Sequence, residues 1–147
     1  MPFGSTMQSV ATAGAVSAGV AIAVGVAVNT CVVQKFRALT PQTWRADASA
    51  ANLRAVVSRL LVGVGFPLAF AYTGLPMLPA MASGSVPRWQ VGLQFGGLLW
   101  LAMALPIVLS LAATVNVHRG FVVGKVVDWL IVAAASGVAC AYLIKPA

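Results

Sequence analysis

Four apolar stretches, residues 10 to 33, 60 to 72, 91 to 115 and 121 to 144, take up most of a 147-residue chain that carries nine basic and two acidic side chains. A hydrocarbon layer roughly 30 Å thick is crossed by about 20 helical residues, each rising about 1.5 Å. Three stretches reach that length unaided. The second reaches it once Leu53 to Leu60 is added, with Arg54 and Arg59 snorkelling to the near interface. The expected fold is therefore all-α: a polytopic membrane protein, a four-transmembrane-helix bundle forming a single membrane domain over residues 1–147. Its spans are expected at about 9–33, 53–73, 89–115 and 121–144, joined by a 34–52 loop, a 74–88 loop and a short turn at 116–121.

Hydrophobic residues make up 61% of the chain and charged residues 7%, against roughly 25% charged in an average soluble protein. The net charge of +7 raises the question of nucleic acid. The basic residues, however, sit at the ends of apolar stretches with no aromatics interleaved as a stacking platform, so no nucleic-acid partner is expected. The first stretch has no Lys or Arg before it and is too long for the core of a cleavable signal; it is expected to be a retained span.

Lys and Arg accumulate on the cytoplasmic side of membrane proteins. Lys35, Arg37, Arg45, Arg54 and Arg59 lie between the first and second spans, Arg119 and Lys125 between the third and fourth, and only Arg88 and Lys145 fall on the other side. This split places the 34–52 loop and the 116–121 turn inside, the 74–88 loop outside and both termini outside, in a bacterial inner (cytoplasmic) membrane. Within the inner loop, Thr40-Pro41 can open a short interfacial helix with Trp44 at the headgroup level. Pro67 is expected to kink the second span, the third span carries Pro106, and Leu75 to Met81 is apolar enough to dip into the interface.

Lipid tails are as apolar as leucine, so helices in a bilayer associate by close backbone approach and interhelical polar contacts. The first span carries two small-residue ridges at four-residue spacing: Ala11, Ala15, Gly19, Ala23, Ala27, and Ser17, Ala21, Gly25, Asn29. It is expected to be the central packing helix, with Ala15, Gly19, Ala23 and Gly25 as contact positions, either within the chain or between copies in a homo-oligomer.

Asp128 lies about two turns inside the fourth stretch, where a carboxylate needs a partner. Lys125, at i−3, and Arg59, at comparable depth on the second span, are the candidates. The three form a candidate intramembrane polar site, read first as a helix-locking ion pair and second as a protonatable site for transport. His118 is expected to be a solvated turn residue. As the sole histidine it excludes bis-histidine haem ligation within one chain, and no cysteine or carboxylate cluster has metal-ligand spacing, so no cofactor or metal is expected. Cys31 and Cys140 fall at opposite ends of the threading, too far apart for a disulfide. Signatures of a nucleophile elbow, phosphate loop or zinc-protease helix are missing, so no enzymatic activity is expected.

The order of parts, together with Gly92-Leu93-Gln94-Phe95-Gly96-Gly97-Leu98-Leu99-Trp100-Leu101, resembles small four-span bacterial integral membrane proteins of unknown function whose Gly-rich third span contains a similar Leu-Trp pair. The resemblance implies the fold and no activity. Small multidrug transporters also have four spans but carry a first-span glutamate, which this chain lacks. The expected role is a structural or accessory subunit assembled through helix packing in the lipid bilayer, with or without a membrane-protein partner. The alternative is a small oligomeric proton- or ion-coupled transporter or channel using Asp128.

Overall fold

The structure, a computed structural model, describes residues 3–40, 48–73 and 83–144. Four long helices account for almost all of them. Helix α1 comprises α-helical Phe3–Val28, one π-helical turn at Asn29–Val33 and a closing α-helical Gln34–Arg37. Helix α2 is Ala48–Thr73. Helix α3 comprises Arg88–Leu99, a π-helical turn at Trp100–Ala104 and Leu105–Thr114. Helix α4 is Arg119–Leu143. All four are long and apolar enough to cross a membrane, with spanning segments Met7–Phe36, Leu53–Tyr72, Arg88–Thr114 and Arg119–Leu143.

The helical ends reach into the connections because good helix formers stand there: Gln34 and Lys35 prolong α1, and Ala48, Ala50 and Ala51 start α2 ahead of the apolar run. The interfacial helix expected around Pro41 and Trp44, the dip of Leu75 to Met81, and Lys145 lie outside the described residues. Between α2 and α3, Gly84 takes φ +70°, a left-handed conformation that a side chain would oppose.

The two prolines are absorbed differently. Pro67 lies inside a continuous α2, buried, with its Cγ directed at Gly14 of α1. Pro106 follows the π-helical turn of α3 after one intervening residue. A proline ring crowds the carbonyl four residues earlier, and widening the preceding turn relieves that clash. In α1 the π-helical turn coincides with Thr30, whose hydroxyl donates to the Val26 carbonyl, a side-chain bond that competes with the regular ladder.

A soluble bundle could not present the outer surface seen here. Leu53, Leu61, Val64, Leu98, Met103 and Ile107 are each at least 59% exposed, a far larger apolar surface than water tolerates on a monomer. Tyr72, Trp89 and Tyr142 are exposed together at one end, the level where aromatic belts sit. The protein is an integral membrane protein built as an all-α four-helix bundle.

The central element is α4 and not α1. In its most apolar window 39% of residues are buried, against 17% in each of the other three helices, and α4 touches all of α1, α2 and α3. Close approach to α3 runs through Gly92 and Gly96 set against Ala133 and Gly137; a Cβ added at Gly92, Gly96 or Gly137 would collide with the facing backbone. Helices α1 and α2 meet in the same way at Gly14 and Gly63, with Ala18 beside them. At the aromatic-belt end, Phe70 and Phe66 of α2 meet Phe95 of α3 edge-on at 5.0 and 5.9 Å, closing a core with Ala13, Val91, Cys140, Ala141 and Ile144.

The small-residue ridges of α1 divide accordingly. Ser17 and Ala21 are buried, and the Ser17 hydroxyl faces the Cys140 thiol of α4 without a well-formed hydrogen bond. The other ridge, Ala11, Ala15, Gly19, Ala23 and Ala27, is exposed along its whole length, and a Cβ at Gly19 would meet none of the described residues. Ala15, Gly19 and Ala23 therefore lie on the outer face of α1 among the described residues, because the second ridge is turned toward α4 and α2. The expectation that α1 is the central packing helix is corrected on the same ground.

Candidate functional site

The basic end of the bundle, where α1 and α3 finish and α2 and α4 begin, holds the polar chemistry. Asp128 is fully buried and Arg59 is 7% exposed. The Arg59 Nη2 donates to Asp128 Oδ2, joining α2 to α4. Lys125 Nζ donates to the same oxygen at 3.3 Å across one turn of α4. The three expected polar residues thus meet in one cluster, with both cations on Oδ2. Asp128 Oδ1 and Arg59 Nη1 are buried and have no hydrogen-bond partner among the described residues.

Two further residues shape the cluster. The Arg59 guanidinium carbon lies 4.5 Å from the centroid of the Trp129 ring, close enough for a cation–π attraction that grows when the pair is shielded from water. On its other side the guanidinium lies over Gly25, where an added Cβ would come within 3.1 Å of Cζ. Gly25 is therefore a packing position, but it admits an arginine head and not a helix backbone. Trp129 went unassigned at the sequence level, although a large ring immediately after a buried carboxylate in the same span was a usable signal. The Trp100 indole donates to the Val126 carbonyl at 3.2 Å, pinning the π-helical turn of α3 to α4 near this level.

Charges buried away from water cost more than their mutual attraction returns unless the geometry is tight. Here the tight contact is Arg59 to Asp128. The Lys125 contact is longer, the lysine side chain is 26% exposed, and a lysine preceding its acid on a helix is the weaker orientation. The arrangement locks α2 to α4 through one ion pair and leaves Lys125 half-committed.

His118 stands apart, about 15 Å along α4 from Asp128. It is the N-cap residue of α4: its Nδ1 accepts from the Gly120 N–H at 3.0 Å, and its ring stacks on Phe36 of α1 at 5.0 Å and 11°. Gly120 leaves room for that same Phe36 ring. The histidine is exposed yet does structural work that the turn reading did not assign. His118→Ala is expected to lower thermal stability by about 1 kcal/mol in detergent, and His118→Asn by much less, because Asn retains a cap acceptor; circular dichroism melts of the purified proteins measure both.

Cys31 is exposed and Cys140 buried, both free, at opposite ends of the bundle. Among the described residues no group of His, Cys, Asp and Glu is placed to hold a metal. No family model, curated protein or solved structure matches the chain.

Proposed function

We propose that this protein is a non-enzymatic structural or accessory membrane subunit that assembles with a second copy, or with another membrane protein, through the outward ridge of α1. The observation that carries this reading is the exposure of Ala11, Ala15, Gly19, Ala23 and Ala27 along a ridge that winds gradually around the outside of α1, while the other ridge of the same helix is used inside the bundle. A strip of small residues permits the close backbone approach on which helix association in lipid depends. The buried Asp128, held by Arg59 from a neighbouring helix, supports a bundle fastened shut. The basic end is assigned to the cytoplasm of a bacterial inner membrane, with both termini outside, by the bias of Lys and Arg.

Gly19→Leu tests the assembly. It is expected to shift the size of the detergent-extracted protein to a smaller species and to leave the melting temperature of the dissociated chain unchanged, since none of the described residues lies within reach of a Cβ at Gly19. An unchanged size for Gly19→Leu and for Ala15→Leu sinks the reading. A second reading, a small ion-coupled transporter working through Asp128, is favoured by the partnerless Oδ1 of that residue. Ion flux into proteoliposomes that disappears in Asp128→Asn, with the variant still folded, would select it.

A further inference from the structure

The cations of the basic end outnumber every carboxylate the chain can offer. The full sequence holds nine Lys and Arg and two acidic residues, Asp47 and Asp128. Asp128 is engaged by Arg59 in the tighter contact, so one of its two partners remains unbalanced. Helix α4 begins with Arg119, has no acidic residue in its first turn, and directs the positive end of its dipole the same way. Lys35 of α1 and Arg119 of α4 are both exposed at this end, where the Phe36–His118 stack holds the two helices together. Lys125, whose side chain is already 26% exposed and whose contact with Asp128 is the longer of the two, is free to turn outward without uncovering the carboxylate. Side chains on a helix lean toward its N-terminus, which for α4 is the basic end, and Lys125 stands seven residues from His118 on one helical face. Helices α2 and α3, which meet through Phe66, Phe70 and Phe95 at the far end, have no such ring contact among the described residues at this level.

We propose that Lys125, at the N-terminal end of α4, binds the phosphate of an anionic phospholipid headgroup, exchanging Asp128 for the lipid as its counter-ion while Arg59 keeps the carboxylate. In this exchange no bond is made or broken: the ammonium group swings by one side-chain length, and Asp128 passes from two cationic partners to one. The lipid supplies the negative charge that the chain lacks, in the layer where Lys and Arg side chains reach the membrane surface. The site is independent of the α1 ridge, so its failure leaves the assembly reading intact and the reverse also holds.

The test uses the purified full-length protein in mild detergent, with lipid retention read by native mass spectrometry and stability by thermal melts. Phosphatidylglycerol, phosphatidylcholine and inorganic phosphate are the probes. The native protein is expected to prefer phosphatidylglycerol over phosphatidylcholine, and Lys125→Gln to reduce that preference roughly fivefold, the effect of one lysine near an anionic surface. Lys125→Arg should keep the preference, and Asp128→Asn, if it folds, should raise it by removing the competing carboxylate. Equal retention of the two lipids by the native protein, or an unchanged preference in Lys125→Gln, overturns the proposal. Stabilisation by inorganic phosphate equal to that by phosphatidylglycerol overturns the lipid assignment.

Discussion

Asp128→Ala is expected to lower stability by about 3–5 kcal/mol, the cost of stranding a buried charge. The Arg59 guanidinium would remain 7% exposed between Gly25 and Trp129, with its one strong acceptor removed. Lys125 cannot compensate, since it adds a second positive charge. The loss is specific to the imbalance and not to the absence of a salt bridge. The double variant Arg59→Met/Asp128→Leu is therefore expected to recover most of the stability, because an apolar pair of similar volume often replaces a buried ion pair at little cost. Thermal or denaturant unfolding in one detergent, over the full double-mutant cycle, measures the coupling. If Asp128→Ala and the double variant are equally unstable, the cluster acts through packing and the electrostatic account fails.

Gly137→Leu and Gly96→Leu are expected to separate α3 from α4. At both positions a Cβ would drive into the backbone of the facing helix, which cannot step aside as the end of a flexible side chain can. The expected cost is about 3 kcal/mol or more, the upper end for overpacking, and is seen as loss of a cooperative melt and of monodisperse protein on gel filtration. Gly97→Leu is the control. It adds the same side chain one residue further along α3, where none of the described residues lies within reach of a Cβ, and it is expected to be nearly neutral.

That pair of adjacent glycines marks the boundary of what the sequence discloses. The number, length and order of the helices follow from apolar runs long enough to span lipid, and the meeting of Arg59, Lys125 and Asp128 follows from the cost of an unpaired carboxylate at that depth. Neither inference needs to know which way a helix is turned. The packing face does. Gly96 and Gly97 are indistinguishable by composition, and both ridges of α1 are built of small residues, so only the rotation of each helix about its axis decides which glycine faces protein and which faces lipid. In water a hydrophobic stripe would reveal the rotation; in a bilayer both faces are apolar, and the signal vanishes. The placement of Ala15, Gly19 and Ala23 on the outside, the central role of α4 and the pairing of Trp129 with Arg59 all belong to that hidden variable. The cap formed by His118 was concealed for another reason: histidine is an uncommon capping residue, and Phe36, which stacks on it, is remote in sequence.

The π-helical turns of α1 and α3 let each helix keep one side toward its neighbours for longer than ordinary winding permits. Ser17 and Val33 in α1, and Gly92 and Val108 in α3, are all buried, and in each pair the second residue follows sixteen positions after the first. At about 100° per residue, such a pair ends up about 160° apart around a regular α-helix, almost back to back. One widened turn takes up a residue without advancing the winding, so the two come back to within about 60° of one another. Two matched dislocations thus allow a strict repeat of four to behave as a straight seam across the thickness of the bilayer.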